Sequence, residues 1–329
     1  MSERLISPED RILIAGHRGL VGSALMRRFS AAGYGHLLTT GREECDLGRQ
    51  DQVERWFETH RPDVVLLAAG KVGGIHANAT YPADFLYQNL MIHANVVHAA
   101  YRTGVRRLLY LGSSCIYPRE APQPIREEAL LTGTLEPTNE PYALAKIAGI
   151  RMCDSYRRQF GCDFFSAMPT NLYGPNDNFD LQNSHVLPAL IRKFHEARAA
   201  GNRQVTVWGT GTVRRELLHV DDLADACRFL LENYRDGGHI NVGTGEDLTI
   251  RELAETVAEI VHPEAELVWD TSKPDGTPRK QMDVTRVHSL GWRHTIALRD
   301  GIRSTYDWYL KHVVGRERPA EPSSAGENR

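Results

Sequence analysis

Apolar runs alternate with longer mixed stretches through the first half of the chain. The apolar runs lie at 11–15, 62–70, 108–111 and 163–169, with a weaker run at 37–40. The intervening stretches that favour helix lie at 23–29, 52–60, 82–103 and 142–160. A run that is apolar at successive positions is typical of a strand buried on both faces of a parallel sheet. Strands that alternate with helices in this way predict a doubly wound parallel α/β sheet.

The pattern changes after the strand at 163–169. A polar loop is followed by an amphipathic helix predicted over 185–200 and a short strand predicted over 205–208. The strand predicted over 239–243 is expected to extend the main sheet. Thr249, followed three residues later by Glu252, predicts a capping box at the start of another helix.

These changes predict two interleaved domains and a tail. The main-sheet domain is expected to comprise 1–172 and 213–246, and a smaller α/β domain 173–212 and 247–314. Residues 315–329 are almost all polar or charged and predict a disordered tail. The glycine-containing segment 71–78 shows no clear periodicity and is predicted to be a loop.

Composition and charge exclude several classes of protein. The 329 residues carry a formal net charge of −3, which does not favour binding to nucleic acid or to a membrane surface. The five cysteines are scattered without a CxxC pair, so we expect no disulfide framework, no metal site and a reducing compartment. A polar N-terminal segment and the lack of a long apolar run make the cytoplasm the expected location.

A glycine loop follows the first predicted strand. Gly16, Gly19 and Gly22 stand between that strand and the helix predicted from Ser23. In this context glycines allow a tight turn and a close approach to a pyrophosphate, which then lies at the helix N-terminus. The alternative is a helix-entry loop that binds no ligand.

Two arginines bear on which dinucleotide this loop would bind. An acidic residue that binds the ribose 2′-hydroxyl of NAD is expected about 20 positions after the last glycine. Arg42 stands there, and Arg18 lies within the glycine loop. Guanidinium groups suit a 2′-phosphate in charge and geometry, so we predict NADP(H) rather than NAD(H). The alternative is a pair of solvated surface arginines.

Candidate proton-transfer groups follow the central strand at 108–111. Gly112 is followed by Ser113, Ser114 and Cys115, at the sheet edge where ligands bind in such folds. Tyr142 and Lys146 are four residues apart and share one face of a predicted helix.

A hydroxyl, a phenol and an ammonium together equip a site to move a proton to or from a carbonyl oxygen. We expect Lys146 to lower the pKa of Tyr142. Only one of the two serines is expected to point inward; Ser113 is assigned that role, and Ser114 is the alternative.

In combination, these motifs resemble the extended short-chain dehydrogenase/reductase family. The resemblance rests on the glycine loop, the serine after the central strand, Tyr-x-x-x-Lys, Asn-Leu-Tyr-Gly-Pro at 171–175 and His-Val-Asp-Asp at 219–222. It spans residues 11 to about 310. Longer segments narrow it to enzymes that 3,5-epimerise and 4-reduce GDP-4-keto-6-deoxy-D-mannose; these segments lie at 112–118, 136–142, 168–175 and 273–280.

The resemblance implies roles for particular residues. Ser113, Tyr142 and Lys146 match the reductase triad, and Cys115 and His185 match the epimerisation base and acid. The matching GDP-sugar contacts are Lys193, Trp208 and Arg215. The matching NADP(H) contacts are Gly16, His17, Arg18, Gly19, Leu20, Val21, Gly22, Arg42, Leu111, Gly112, Ser114, Lys146, Pro169, Asn171, Leu172 and His185.

The resemblance also implies a Rossmann NADP-binding domain, a nucleotide-sugar domain and a homodimer. Lys193 departs from the arginine frequent in such enzymes, which preserves attraction to a phosphate but not a bidentate grip. The alternatives are a small buried hydrophobic role for Cys115 and a solvent-facing helix-start histidine at His185.

Other functions compete with this interpretation. A 4,6-dehydratase is disfavoured because Cys115-Ile116 stands where such enzymes place an Asp-Glu pair. A 4-epimerase has no need of Cys115 together with His185. A related GDP-6-deoxy-heptose epimerase or reductase stays open on these residues. A non-catalytic NADP(H)-binding regulator is disfavoured by the intact Tyr142 and Lys146 pair.

Overall fold

The predicted parallel sheet forms the centre of the molecule. The computed structural model describes residues 4–181, 183–273 and 275–315, apart from the side chains of residues 75 and 76. The tail predicted over 315–329 therefore lies outside the described residues, except for Gly315.

The strands are short, and most coincide with the apolar runs. Their bounds are β1 (Ile12–Ala15), β2 (Leu37–Leu38), β3 (Val64–Leu67), β4 (Arg107–Leu111), β5 (Asp163–Pro169), β6 (Asn171–Tyr173), β7 (Gln204–Trp208), β8 (Arg214–His219), β9 (Gly238–Val242), β10 (Asp247–Thr249), β11 (Glu266–Asp270) and β12 (Arg279–Lys280).

The helices lie between these strands. Their bounds are α1 (Leu20–Ala31), α2 (Gln50–His60), α3 (Ile75–Thr80), α4 (Pro82–Arg102), α5 (Glu140–Phe160), α6 (Val186–Ala199), α7 (Val220–Asn233), α8 (Ile250–Val261), α9 (Thr285–Ser289) and α10 (Leu298–Tyr309). Two 3₁₀ turns lie at Ser114–Ile116 and Glu127–Ala129, and a π-helical segment at Leu310–Val314 follows α10.

Six strands form one parallel sheet in the order β2-β1-β3-β4-β5-β9. Every residue of β1, β3 and β4 is buried, which explains their continuous apolar runs. Helix α1 packs on α7, and α4 packs between α2 and α5. The chain reverses direction across the sheet between β1 and β3, and ligands bind beyond the carboxyl ends of strands at such a point. The doubly wound α/β fold is therefore confirmed.

A second group of strands lies beside the main sheet. Strand β8 pairs with β6, β10 and β12, and β7 pairs with β11. A separate hydrophobic cluster supports them, with members from α6, α8 and α10. Strand β8 thus belongs to the smaller sheet, whereas α7, which follows it, packs on α1 of the main layer. The domain boundaries stay a prediction.

Some local expectations are confirmed and others are wrong. The capping box is present, because Thr249 accepts from the Glu252 amide while the Glu252 carboxylate accepts from the Thr249 amide. The loop predicted over 71–78 is wrong at its end, where α3 begins at Ile75. Helix α1 begins at Leu20 rather than Ser23, because Gly19 itself is the N-cap.

The second strand is shorter than predicted, since only Leu37 and Leu38 pair with β1 and Thr39 and Thr40 continue as loop. None of the helices in the described ranges combines the length and apolarity needed to cross a membrane.

Candidate active site

The site begins where β4 ends. Gly112 lies against Met168, and a Cβ at this glycine would lie 2.3 Å from the Met168 sulfur, so a side chain would not fit. The chain then turns at Ser113, which caps the 3₁₀ turn Ser114–Ile116. Ser113 Oγ accepts from the Cys115 amide at 3.4 Å and from Cys115 Sγ at 3.2 Å. One hydroxyl therefore orients the backbone turn and the thiol together.

Tyr142 meets the same hydroxyl from α5. It is hydrogen-bonded to Ser113, and its ring packs edge-on against Phe85 with the ring centroids 6.1 Å apart. Burial raises the pKa of Tyr142, and the neighbouring Cys115 raises it further, while the Ser113 hydrogen bond opposes both. The expected net lowering of this pKa is therefore wrong, because burial is the larger effect. Tyr142 is held in its protonated form.

Lys146 lies one helical turn further along α5 and is buried. Its Nζ donates to the Leu111 carbonyl at 2.8 Å and lies 5.8 Å from the centroid of the Tyr142 ring. Burial lowers the pKa of Lys146 to about 8, although Cys115 opposes this effect. A proton can therefore be exchanged at Lys146 close to neutral pH.

A buried tyrosine supports this lysine from the sheet side. Lys146 Nζ lies 5.1 Å from the ring centroid of Tyr110 on β4, and the Tyr110 hydroxyl is 3.0 Å from His93 Nδ1. A Cβ at Gly149 would lie 2.5 Å from the Tyr110 hydroxyl, so the absence of a side chain there makes room for the ring. The position of Lys146 thus depends on packing between β4 and α5.

Cationic side chains from the smaller sheet face the thiol. Strands β8 and β12 are parallel, and Arg215 is paired in register with Lys280. Burial lowers the pKa of Lys280. Cys115 opposes this shift and Arg215 adds to it, so both groups lie within electrostatic range of Lys280. His185, at the N-cap of α6, is exposed, yet desolvation by neighbouring atoms lowers its pKa and the charge of Lys280 lowers it further. Cys115, Arg215 and His185 therefore each lie within electrostatic range of Lys280, and the cleft is defined by these four residues.

The outer part of this cleft contains an exposed aromatic ring. Trp208, at the end of β7, is 57% exposed. Lys193 Nζ lies 4.8 Å from the indole centroid and Lys273 Nζ lies 5.6 Å from it. Arg215 is fixed by donating to the carbonyl oxygens of Arg214 and Thr277. A planar base can stack on such a ring while the cations face phosphates.

The glycine loop lies at the reversal point of the main sheet. A Cβ at Gly16 would lie 2.8 Å from the Ala69 backbone nitrogen, and one at Gly22 would lie 2.0 Å from the Gly16 carbonyl oxygen. Glycine is thus required for the loop to meet the end of β3 and the first turn of α1. No side chain caps the α1 N-terminus, and His17 Nδ1 is buried without a hydrogen-bond partner among the described residues.

Sequence comparisons agree with this geometry. The chain matches the NAD dependent epimerase/dehydratase family over residues 12–243. It is 60% identical over 306 residues to "GDP-L-fucose synthase 1" of Arabidopsis thaliana, covering 93% of this chain and 95% of the relative. It is 56% identical over 313 residues to the "GDP-L-fucose synthase" of Escherichia coli (strain K12), covering 92% of this chain and 98% of that protein. The chain belongs to this epimerase/dehydratase family.

A solved structure shows the same fold. The GDP-D-glycero-L-gluco-heptose synthase of Campylobacter jejuni, solved in the presence of NADPH, superposes with a TM-score of 0.86 at 38% identity. The match covers 92% of this chain and 99% of that one.

The structure brings the two groups of predicted catalytic residues to one cleft. Ser113 is hydrogen-bonded to Cys115 and Tyr142, Lys146 Nζ lies 5.8 Å from the Tyr142 ring centroid, and Lys280 is within electrostatic range of both Cys115 and His185. Ser114 is buried in the turn, whereas Ser113 is the serine that contacts Tyr142. The predicted cofactor residues Leu111, Gly112, Pro169, Asn171 and Leu172 lie at or just after the carboxyl ends of β4 and β5.

Two residues that sequence reasoning missed lie in these sites. Lys280 closes the 273–280 segment that supports the resemblance, and its pairing with β8 directs it toward the thiol. Glu43 follows Arg42 directly, and its carboxylate forms an ion pair with Arg18, the two atoms Arg18 Nη2 and Glu43 Oε1 being 2.6 Å apart. An acidic residue at this distance from the last glycine was the available signal for Glu43.

Proposed function

We propose that this chain is a GDP-L-fucose synthase, which epimerises C3 and C5 of GDP-4-keto-6-deoxy-D-mannose and reduces C4 with NADPH. The single observation that carries the proposal is the convergence of Cys115 and Tyr142 on the Ser113 hydroxyl. A base for carbon acids and an acid for a carbonyl oxygen thus share one cleft. The relatives named GDP-L-fucose synthase support the same reaction.

The epimerase half uses Cys115 and His185. The 4-keto group acidifies the protons at C3 and C5, because the resulting carbanion is delocalised as an enolate. At each of the two carbons, the Cys115 thiolate removes the proton from one face of the sugar and His185 delivers a proton to the opposite face. Lys280 supplies a positive charge in the same cleft, which stabilises the enolate and the thiolate electrostatically.

The reductase half uses Tyr142, Lys146 and Ser113. NADPH, when bound, supplies the hydride that adds to C4. Ser113 donates a hydrogen bond to the C4 oxygen, and Tyr142 gives that oxygen its proton as the C4 alcohol forms. Lys146, whose pKa is lowered to about 8, stabilises the Tyr142 phenolate and passes on a proton. The elevated pKa of Tyr142 keeps the phenol protonated until the alkoxide develops at C4.

Three features fit a dinucleotide with a 2′-phosphate. The N-terminus of α1 has no side-chain cap and its N–H groups are available to a pyrophosphate. Arg18 and Arg42 are both exposed on the loops that follow β1 and β2, where the adenosine ribose is expected. Lys146, beneath the end of β4, would hold the nicotinamide ribose. NADPH in the Campylobacter jejuni relative supports this choice.

The GDP moiety is assigned to the outer cleft. Trp208 offers a stacking surface for guanine, and Arg215, Lys193 and Lys280 face the pyrophosphate as cations. Lys193 donates to the Thr206 carbonyl at 3.3 Å, which directs its ammonium along β7. A single ammonium binds a phosphate as a point charge rather than as a fork.

A second copy of the chain would pack against α4 and α5. These helices carry exposed apolar side chains, with Tyr87 66% exposed on α4 and Leu144 43% exposed on α5. Exposed aromatic and aliphatic groups on adjacent helices suit an isologous helical interface. The homodimer and the cytoplasmic location stay predictions.

The proposal is tested by one turnover in D₂O. The full chain is mixed with GDP-4-keto-6-deoxy-D-mannose and NADPH, and the product is examined by NMR. We expect NADPH oxidation, deuterium at both C3 and C5, and a 6-deoxy sugar of galacto configuration. Omitting NADPH should leave the deuterium exchange intact while abolishing reduction.

The second candidate is an epimerase or reductase of a GDP-linked heptose. The similarity to the Campylobacter jejuni heptose synthase favours it specifically. A kcat/KM for a GDP-4-keto-6-deoxy-heptose well above that for the mannose derivative would select this candidate. Reduction without deuterium at C3 or C5 would instead indicate a plain 4-ketoreductase and leave Cys115 structural.

A further inference from the structure

The loop after β2 carries an acidic residue, Glu43, that the proposed cofactor site does not use. Glu43 presents its carboxylate to Arg18, with Nη2–Oε1 at 2.6 Å and Nη1–Oε2 at 3.4 Å. These two hydrogen bonds form a bidentate pair between the loop after β1 and the loop after β2. A guanidinium that binds one carboxylate through two N–H groups has fewer donors with which to bind a second anion.

The surrounding backbone is shaped to admit this carboxylate. A Cβ at Gly41 would lie 2.2 Å from Glu43 Oε1 and 2.5 Å from Oε2, so the side chain folds back over a glycine. The amides of Glu44 and Cys45 both donate to the Gly41 carbonyl, which closes the turn beneath it. The Arg18 backbone is held on the other side, where Asn176 Nδ2 donates to its carbonyl oxygen at 2.7 Å.

The pair remains charged under working conditions. The Arg18 hydrogen bond holds the pKa of Glu43 below its ordinary value, so this carboxylate is an anion at neutral pH. The side chains of Arg18 and Glu43 are 69% and 64% exposed, and an exposed ion pair of this kind is weak enough for a cofactor to break.

We propose that Glu43 sets the cofactor preference by competing with the 2′-phosphate of NADPH for Arg18. NADPH must displace the Glu43 carboxylate from the guanidinium, whereas NADH carries no phosphate and leaves the pair intact. Glu43 also stands where an acidic residue accepts the ribose 2′-hydroxyl in NAD-binding folds. Glu43 therefore weakens the binding of NADPH but not that of NADH. The difference in affinity between the two cofactors becomes smaller.

This inference rests on the proposed role of Arg18 at the 2′-phosphate. The test is a binding titration of the full chain with NADPH and with NADH, in which cofactor fluorescence reports binding. The variants are Glu43→Gln, Arg18→Ala and the double variant. Glu44→Gln is the matched control, because it removes the same charge one residue away and keeps an acceptor for Trp56 Nε1.

We expect Glu43→Gln to lower the Kd for NADPH by roughly two- to fivefold and to leave the Kd for NADH within about twofold. The gain should shrink at 0.5 M salt, because exposed charges are screened. Glu44→Gln should change neither value. The gain should vanish in the Arg18→Ala background, since the competition requires the guanidinium.

Two outcomes would overturn the inference and a third would overturn its basis. An unchanged or raised Kd for NADPH in Glu43→Gln would show that Glu43 does not compete with the phosphate. A gain that persists without Arg18 would show plain charge repulsion instead. If Arg18→Ala alone leaves NADPH binding intact, the proposed 2′-phosphate site itself is wrong, whatever Glu43 does.

Discussion

The two walls of the cleft are built in different ways. The inner wall is made by the end of β4 and the first turns of α5. It holds Ser113 and Tyr142 half-buried and hydrogen-bonded to each other, and it holds Lys146 buried and bonded to the Leu111 carbonyl. The outer wall, made by α6, β8 and β12, presents His185, Arg215 and Lys280 from three separate segments, and strand pairing aligns β8 with β12. Local geometry fixes the first wall, and long-range register fixes the second.

This difference assigns proton transfer at the C4 oxygen to the inner wall and binding charge to the outer one, which also carries His185 as the proposed epimerisation acid. Removing a group from the inner wall should eliminate one half-reaction and spare the other. Removing a cation from the outer wall should weaken binding and shift pH dependence without abolishing either half.

The largest effect is expected from Tyr142→Phe. Without the phenolic proton, the rate of NADPH oxidation should fall by about 10²–10⁴-fold, the usual contribution of a positioned acid. Deuterium exchange at C3 and C5 should continue, because Cys115 and His185 remain. Tyr87→Phe on the exposed face of α4 is the control and should leave both rates unchanged. Equal loss of exchange and reduction would contradict the division.

Cys115→Ser should produce the complementary defect. Deuterium exchange at C3 and C5 should fall by about 10²-fold or more, because a serine hydroxyl is a far weaker base than a thiolate. Reduction of the unepimerised 4-keto sugar should persist. Cys162→Ser removes another thiol that lies outside the cleft and is the control. Full exchange in Cys115→Ser would return Cys115 to a packing role.

Lys146→Met tests the cost of burying a charge in the inner wall. The pKa of Lys146 is about 8 in the folded chain against 10.5 as its ordinary value, so the unfolded chain binds more protons between those pH values. The free energy of unfolding should therefore rise as the pH increases through this window. The full destabilisation by the buried ammonium is present below pH 8.

Replacing Lys146 by an apolar side chain should remove that cost. We expect the free energy of unfolding at pH 7 to increase by about 1–3 kcal/mol. Loss of the hydrogen bond from Lys146 to the Leu111 carbonyl should reduce this gain. The gain should shrink at pH 9.5, and reduction should be lost. Urea unfolding at both pH values measures it, with exposed Lys311→Met as the control. A loss of stability at pH 7 would mean that the Leu111 hydrogen bond dominates.

The inner wall was predictable from local sequence patterns, whereas in the outer wall His185 and Arg215 followed only from the family resemblance and Lys280 was missed. A strand followed by Ser113 and a helix with Tyr142 and Lys146 four residues apart are local patterns, and the structure has both elements as expected. The relation of Lys280 to Cys115 depends on β12, a two-residue strand that pairs with β8 across more than sixty residues of chain. No periodicity can reveal a strand of that length.

The same reasoning explains the remaining errors. The raised pKa of Tyr142 follows from burial, which depends on packing against Phe85 and the sheet rather than on the lysine one turn away. The ion pair of Arg18 with Glu43 joins two loops that only the completed sheet brings together. The positive charge of Arg18 was enough to predict it as a phosphate ligand. Its pairing with the Glu43 carboxylate became visible only in the structure.

The smallest effect is expected from Lys280→Met in the outer wall. The positive charge of Lys280 lowers the pKa of His185 in addition to the effect of burial. Removing the charge should raise that pKa. If His185 acts as the acid, the loss of exchange activity at high pH should move upward by about half a unit to one unit.

The KM for the GDP-sugar should also rise by about tenfold, because one cation facing the pyrophosphate is lost. Lys273→Met removes a cation beside Trp208 that lies further from Cys115, so it should alter KM without moving the pH profile. A pH profile unchanged in Lys280→Met, with a raised KM, would restrict Lys280 to nucleotide binding. The epimerase chemistry would then belong entirely to Cys115 and His185, and the outer wall would contribute a single catalytic group.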